Sequence, residues 1–307
     1  MISKGKSLRV AIEEERPLQI VGTINAYSGL LAQKAGFRAI YLSGAGVANA
    51  SYGLPDLGLT TLHNVCEDVR RISNVTDVPL LVDADTGWGD DTMVSSSIKE
   101  IEKAGAAGCH LEDQISNKRC GHRSGKGLVE AEEMIKKIKI AANARLDADF
   151  VLMARTDAHE VEGLNCSIDR ACKYVEAGAD IIFAEALTSL EEYERFTSAL
   201  TVPVLANLTE FGKTPLYSKE ELLNVGVRLI LYPLSAFRAM SKAAEEVYLH
   251  IRNSGNQQDM VSKMQTREEL YELINYYESE GKVDKLIKER ATQLISDEVL
   301  ISGDDYE

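Results

Sequence analysis

The sequence predicts a (β/α)8 barrel with an additional C-terminal helical arm, on three observations. First, four helix-patterned runs end in a small apolar residue and glycine, then pass into an apolar run: Lys34-Ala35-Gly36, Lys103-Ala104-Gly105, Glu176-Ala177-Gly178 and Asn224-Val225-Gly226. Glycine suits the left-handed residue just past a helix, where a Cβ is strained. Second, four more apolar runs interleave with these, and three open on proline, which a strand tolerates at its first residue. Third, a charged amphipathic stretch follows the eighth run and belongs to no further β/α unit.

In chain order the expected strands are Pro17-Leu18-Gln19-Ile20-Val21, Arg38-Ala39-Ile40-Tyr41-Leu42, Pro79-Leu80-Leu81-Val82 and Ala107-Gly108-Cys109-His110-Leu111. The second half continues with Asp149-Phe150-Val151-Leu152-Met153, Asp180-Ile181-Ile182-Phe183-Ala184, Pro203-Val204-Leu205-Ala206 and Arg228-Leu229-Ile230-Leu231-Tyr232. Between them, Ile168, Ala171, Cys172 and Val175 recur at helical spacing. Ser218-Lys219-Glu220-Glu221 is a capping box before Leu222 and Leu223. A long helix is expected over 235–251, ending near Gly255. Thr266-Arg267-Glu268-Glu269 is a second capping box, opening a helix with Leu270, Leu273, Ile274 and Tyr277 on one face. The expected division is a barrel over 1–255, a helical arm over 256–298 and a disordered tail over 299–307. An arm with an apolar stripe must bury it on its own barrel or on a neighbour, which suggests an oligomer.

The chain has 307 residues, 45% of them hydrophobic, enough for one barrel and a tail. A formal charge of −14 disfavours nucleic acid and anionic lipid as partners. No apolar stretch approaches the roughly 20 residues of a membrane span, and the start does not resemble a signal peptide. Five cysteines, Cys66, Cys109, Cys120, Cys166 and Cys172, show no Cys-x-x-Cys spacing, so neither a disulfide framework nor a zinc site follows. A reducing, cytoplasmic location is expected.

Barrels of this kind place their chemistry where strands end. Those ends supply Asn25, Ser43, Asp83, Asp85, Glu112, Asp113, Arg155, Asp157, Glu185, Asn207, Thr209 and Ser235. Asp83 and Asp85 stand two apart, on one face of an extended chain. Adjacent carboxylates repel unless a proton or cation lies between them. Hard oxygen ligands without a histidine pair favour Mg2+, although Asp83-Ala84-Asp85-Thr86-Gly87 could also be a solvated turn. Glu112 and Asp113 could hold waters on the same cation, and Asp56 could join them.

Cys120 lies in Lys118-Arg119-Cys120-Gly121-His122-Arg123, a basic loop with glycines at 121, 125 and 127 that reads as a lid over an anionic substrate. Arginine and histidine neighbours activate a thiol. The alternative is a solvated loop with an incidental cysteine. Arg155 could bind a substrate carboxylate or be neutralised by Asp157. Arg238 and Arg267 read as surface arginines by sequence alone. His110, His63, His159 and His250 form no cluster and read as core histidines.

Six segments together resemble the 2-methylisocitrate lyase family of the isocitrate lyase and phosphoenolpyruvate mutase superfamily. They are Leu18-Gln19-Ile20-Val21-Gly22-Thr23, Tyr41-Leu42-Ser43-Gly44, Val82-Asp83-Ala84-Asp85, Lys118-Arg119-Cys120-Gly121-His122, Met153-Ala154-Arg155-Thr156-Asp157 and the run from Leu231 to Met240. The resemblance implies Mg2+-dependent retro-aldol cleavage of (2S,3R)-2-methylisocitrate to pyruvate and succinate, in propionate breakdown through the methylcitrate cycle. It implies Asp83 and Asp85 as metal ligands, with Asp56 and Glu112 around them. It implies substrate contacts from Ser43, Gly44, Ala45, Cys120, Gly121, Arg155, Glu185, Asn207, Leu208, Thr209, Arg238 and Arg267. Among these, Cys120, Arg155 and Glu185 are the expected catalytic residues, Cys120 as general acid, and Lys118, Arg119, Gly121 and His122 form the lid. It also implies a homotetramer through swapped C-terminal helices. Related carbon–carbon lyases act on isocitrate or substituted malates, a related hydrolase acts on oxaloacetate, and the mutases act on phosphonates but usually lack the cysteine. An acid- or metal-binding scaffold is the non-enzymatic alternative. The chain departs from the family at Ala45, where glycine is usual, and at Ser124-Gly125, where Pro-Asn is usual.

Overall fold

A computed structural model describes residues 2–301, with side chains described up to 290. In the first half, α1 (Lys4–Glu14), β1 (Leu18–Gly22), α2 (Ala26–Lys34) and β2 (Ala39–Leu42) lead into a short turn α3 (Gly44–Gly46) that runs on as a π-helical turn (Val47–Ser51). Then come α4 (Leu62–Ser73), β3 (Leu80–Asp83), α5 (Asp91–Lys103), β4 (Gly108–Glu112), α6 (Ala131–Ala144) and β5 (Val151–Thr156). The second half holds α7 (Ala158–Glu162), α8 (Leu164–Glu176), β6 (Ile181–Ala184), α9 (Leu190–Ala199), β7 (Val204–Asn207), α10 (Lys219–Asn224), β8 (Leu229–Tyr232) and α11 (Ser235–Ser254). Last are α12 (Arg267–Leu273) and α13 (Tyr276–Ile301).

The eight strands pair in parallel in sequence order, and β8 pairs with β1, with Leu18 opposite Leu229, to close the barrel. The (β/α)8 expectation therefore holds, with strand bounds displaced by a few residues. Pro17, Pro79 and Pro203 stand one place before their strands, where no ladder donor is needed. Gly36, Gly105, Gly178 and Gly226 all have positive φ, as the helix-to-strand reading requires.

Strand alternation divides the core in two. Leu18, Ile20, Ala39, Tyr41, Leu81, Val151, Met153, Ile181, Phe183, Leu205, Leu229 and Leu231 point inward and pack together with Leu8, Ala11 and Ile12 of α1. Each buried side chain of this size contributes about 1.5–3 kcal/mol. Ile40, Val82, Cys109, Leu111, Leu152, Ile182, Ala206 and Ile230 face outward against the helices. Continuing the inward phase past each apolar run brings Asp83, Glu112, Arg155, Glu185 and Asn207 to the same end of the barrel.

By internal contacts the chain divides into Met1–Glu245 and Glu246–Glu307. In the second unit, Thr266 and Glu269 form the expected capping box. Tyr271 stacks on Tyr276 with ring centroids 4.1 Å apart. Neither α11 nor α12 has a buried residue, and Leu270, Ile274, Val283, Leu286 and Ile287 are exposed. Of the tail expected over 299–307, α13 reaches Ile301 and the remainder lies outside the described residues.

Candidate active site

A cavity of about 240 Å³ opens at the C-terminal end of the strands. Asp83, Glu112, Arg155, Glu185, Asn207 and Thr209 line it from the barrel, and Lys118, Arg119, Cys120, Gly121 and His122 line it from the lid. Asp56, Ser43, Ala45 and Arg238 also stand on its wall, whereas Gly44, Asp85, Leu208 and Arg267 of the expected set do not.

On the β2–β4 side, four carboxylates gather about one ammonium. Lys118 Nζ is 2.9 Å from Asp56 Oδ1 and in contact with Asp85 Oδ1. Asp83 Oδ2 accepts the Gly44 N–H at 3.0 Å, and Asp83 Oδ1 accepts the Asp85 N–H at 3.0 Å. A Cβ on Gly44 would stand 3.0 Å from Asp83 Oδ2 and 3.1 Å from Asp85 Oδ1, so both carboxylates press on that bare backbone. Asp83 and Asp85 converge, but not as alternate residues of an extended strand: β3 ends at Asp83, and Asp85 turns back through a left-handed φ of 47°.

Below them His110, fully buried, has Nε2 2.8 Å from the Tyr41 hydroxyl, which donates to Asp83 Oδ2 at 3.4 Å. Burial pushes the imidazole down to about 4 against the pull of Asp83, so it is neutral. A hydroxyl that donates to Asp83 can only accept from His110, which puts the ring proton on Nε2. Burial, reinforced by Asp83, holds the Tyr41 phenol well above its ordinary range, so it stays a donor. Sequence reasoning assigned His110 to the core and missed Tyr41. The inward phase of β2 and β4 was the signal that could have found both.

Burial and the neighbouring Asp83 push Asp85 up to about 7 against the attraction of Lys118. Burial opposes ionisation of Asp83 too, but His110, Lys118 and Arg155 outweigh it and hold that carboxyl low. Burial drives Glu112 well above the ordinary carboxylate range, and its Oε1 has no hydrogen-bond partner. This cluster is short of positive charge and offers oxygen donors alone, which fits a hard divalent cation. Among the described residues, no three or more histidine, cysteine or carboxylate side chains form a metal-holding group. Two direct carboxylates completed by water are common for Mg2+.

The β5–β7 side is balanced instead. Arg155 donates through Nε and Nη2 to both oxygens of Asp157, at 2.9 and 3.1 Å. Its guanidinium lies 5.0 Å from the Phe183 ring centroid and 3.5 Å from Glu185 Oε1. Of the two roles open to Arg155 by sequence, pairing with Asp157 is the one the geometry shows, while the side chain still lines the cavity. Asn207 Nδ2 donates to Glu185 Oε2 at 3.2 Å. Each of these groups ends an inward-facing strand phase.

The lid is an excursion between Gln114 and Leu128, which form an antiparallel bridge. Gln114 clasps the backbone of Arg119 in both directions at 2.9 Å. The Arg123 N–H then donates to the Cys120 carbonyl at 2.8 Å, turning the chain just past the cysteine. Gly121 packs on the Arg155–Glu185 pair: a Cβ there would lie 2.1 Å from Glu185 Oε1 and 2.3 Å from Arg155 Nη2. His122 Nδ1 accepts the Lys213 N–H at 3.0 Å, and its Nε2 is 3.3 Å from Glu185 Oε1. Cys120 is solvent-exposed at the cavity wall, as a reactive thiol requires.

Several rim residues do other work. Asp113 follows outward-facing Leu111 by two and turns away from the mouth, accepting from Thr156, the Asp157 N–H and Tyr174. Its expected place beside the cation is thus corrected by strand phase. Asn25 caps α2 in a reciprocal box with Ser28, and the Ser235 hydroxyl donates to Glu210. The Leu208 side chain joins the outer core while its N–H donates to Leu231 at 2.8 Å. Arg267 opens α12 in the second unit. His63 is exposed, not part of the core. Ala45 lies within the right-handed turn α3, so its methyl meets no left-handed strain.

Residues 8–252 match the phosphoenolpyruvate phosphomutase family. The chain is 56% identical over 285 residues to the 2-methylisocitrate lyase of Escherichia coli K12, covering 92% of this chain and 96% of that one. A solved 2,3-dimethylmalate lyase, described as a PEP mutase/isocitrate lyase superfamily member, superposes with a TM-score of 0.86 at 34% identity, over 94% of this chain and 96% of that one. A phosphonopyruvate hydrolase solved with oxalate and Mg2+ superposes with a TM-score of 0.80 at 29% identity, over 91% and 98%. With a shared barrel, a matching profile and a majority of identical residues, the chain belongs to the phosphoenolpyruvate phosphomutase family, among relatives that are 2-methylisocitrate lyases.

Proposed function

We propose that the protein is a Mg2+-dependent carbon–carbon lyase that cleaves (2S,3R)-2-methylisocitrate to pyruvate and succinate, as the methylcitrate cycle of propionate breakdown requires. One observation carries this: a carboxylate cluster wanting a cation and an exposed thiol line a single cavity of about 240 Å³. The relative from Escherichia coli K12 carries the same activity in its name.

Asp83 and Asp85 would hold Mg2+ directly, with Asp56 and Glu112 orienting its waters. The ion supplies Lewis-acid polarisation of the hydroxyl and carboxylate oxygens of the pyruvate half. Ser43, Gly44 and Ala45 bind that carboxylate, the Ser43 hydroxyl making no hydrogen bond that caps α3. Arg155 adds positive charge beside it, oriented by Asp157 and Glu185. As the hydroxyl proton passes to a carboxylate lining the cavity, the carbon–carbon bond breaks and its electron pair stays on the succinyl carbon. Cys120 delivers the Sγ proton to that carbon as general acid. Lys118, Arg119, Gly121 and His122 keep water out while the carbanion exists. Asn207, Thr209 and Arg238 hold the succinyl carboxylates, while Leu208, whose N–H is given to Leu231, has no donor left for them.

We assign the barrel to 1–255, an arm to 256–298 and a tail to 299–307, and infer a homotetramer built by exchange of C-terminal helices. The exposed apolar residues of α12 and α13 support this. We place the enzyme in the cytoplasm and, on its formal charge of −14, without a nucleic acid partner; no helix among the described residues is long and apolar enough to cross a membrane.

The test is parallel incubation with 2-methylisocitrate, isocitrate, 2,3-dimethylmalate and oxaloacetate, with Mg2+ and then with chelator. Pyruvate and succinate should form from the first alone, and only with Mg2+. A larger rate on another acid reassigns the substrate, and no turnover of any acid removes the lyase.

A further inference from the structure

Lys126 is the lid residue that the mechanism leaves unused. Its side chain is fully buried although the loop around it is exposed. Nζ donates to the Gly121 carbonyl at 2.5 Å and to Asp157 Oδ1 at 3.1 Å, and lies 3.1 Å from Glu160 Oε2. An ammonium has three donors, and here all three face oxygen. Two of those oxygens are on carboxylates at the end of β5 and in α7. The third belongs to the lid itself, on the residue immediately after Cys120.

The same carboxylates continue in both directions. Asp157 holds the guanidinium of Arg155. Glu160 also pairs with Lys213, whose N–H donates to His122 Nδ1 on the far side of the Cys120 turn. The turn is thus gripped twice, at Gly121 by Lys126 and at His122 by the loop that carries Lys213, and Glu160 joins the two grips.

We propose that Lys126 is a positioning residue: it fixes the Cys120–Gly121 turn over the cavity by binding the Gly121 carbonyl and the Asp157–Glu160 carboxylates together, and so sets where the thiol points when the lid is shut. This rests on Cys120 as the proton donor. It touches no substrate, so its removal should act on the chemical step through geometry. A neutral side chain of similar length would leave the Gly121 carbonyl unpaired and Asp157 facing Arg155 alone. A displaced turn no longer aims Sγ at the succinyl carbon, although Mg2+ and the far carboxylate contacts are untouched.

The experiment uses the full-length enzyme and two readouts. In Lys126→Met, kcat should fall about 100-fold while KM changes less than about threefold, the signature of lost alignment. Iodoacetamide reaction of Cys120 is measured with and without Mg2+, pyruvate and succinate, which should shield the thiol in the parent and not in the variant. Lys126→Arg, which keeps the charge and the donors, should restore much of both. Normal kcat with intact shielding in Lys126→Met overturns the proposal, as does a lower thermal midpoint with neither readout changed. Should the methionine variant fail to fold, Glu160→Gln decides in its place: partial loss of shielding supports the clamp, and unchanged shielding and kcat overturn it. An inactive parent enzyme sinks the lyase assignment and not the clamp, since thiol shielding is read without turnover.

Discussion

The two sides of the cavity solve the problem of buried charge differently. On the β2–β4 side, Asp56 and Asp85 share Lys118 and Glu112 reaches Arg155 across the mouth at 3.4 Å, and the shortfall appears as an Asp85 carboxyl pushed up to about 7 and an unpartnered Glu112 oxygen. On the β5–β7 side, Arg155, Lys126 and Lys213 face Asp157, Glu160 and Glu185 in closed ion pairs. Buried ions are stable only when paired or bound to metal. The first side therefore carries oxygen donors in excess of its own positive charge, which suits the Mg2+ proposed for it. The second is complete, but only while the lid is down, because Lys126 is part of it. Both halves take a lysine from the lid, Lys118 on the first side and Lys126 on the second.

The sharpest way to break this contrast is to remove a ligand from the unbalanced side. Asp85→Ala should abolish turnover and heat-detected Mg2+ binding together, since it removes one of the two carboxylates proposed to hold the ion directly. Asp85 also holds Lys118, two residues before Cys120, so thiol reactivity in the same variant reads how far that pair fixes the lid. Mg2+-independent turnover in this variant would falsify the division.

Next in size is the thiol. Cys120→Ser should lose about 10²–10⁴-fold in kcat, the range for a placed acid, with Mg2+ binding unchanged. Near-parental turnover would move the proton donor elsewhere. The lid glycine follows. Gly121→Ala places a Cβ 2.1 Å from Glu185 Oε1 and 2.3 Å from Arg155 Nη2, both ends of a buried pair. The lid must then ride higher, and a displacement of that order costs about 100-fold in kcat. If the alanine variant keeps parental kcat, the lid does not close on that pair during catalysis.

What the sequence disclosed follows from periodicity. The four glycine turns and three proline-led runs mark seven of the eight strands because both are backbone constraints, readable one residue at a time, and the eighth, Asp149 to Met153, shows by its apolar residues alone. The inward phase then carries Asp83, Glu112, Arg155, Glu185 and Asn207 to the mouth. The same phase turns Asp113 outward, although its position at a strand end suggested the opposite. Asn25 looked like a rim group and is a helix cap, because Ser28 three residues on completes a box. Lys118 and Lys126 both belong to the glycine-rich basic loop. Their separate partners, Asp85 in one case and Asp157 in the other, lie dozens of residues away and leave no local signal. Lid residues pair across the barrel, and only folding sets which pair forms.

The smallest expected effect compares two thiols. Cys109 lies on the outward face of β4, behind the cation side, and burial raises its thiol strongly, with Asp83 adding to the effect. Cys66 of α4 is likewise pushed up to about 11 by burial. At pH 8 a thiol of that strength is ionised to about one part in a thousand, so neither should react with iodoacetamide in the folded enzyme. Cys120 and Cys166 are exposed and should react. Only Cys120 should then lose reactivity when Mg2+, pyruvate and succinate are added, because it alone of the two lines the cavity. Peptide mapping of the alkylated protein reads all four at once. Protection of Cys166 in place of Cys120 would mean that the ligands close some other part of the surface. Labelling of Cys109 would mean that the strand-built side opens as readily as the lid, and the difference between the two halves would be lost.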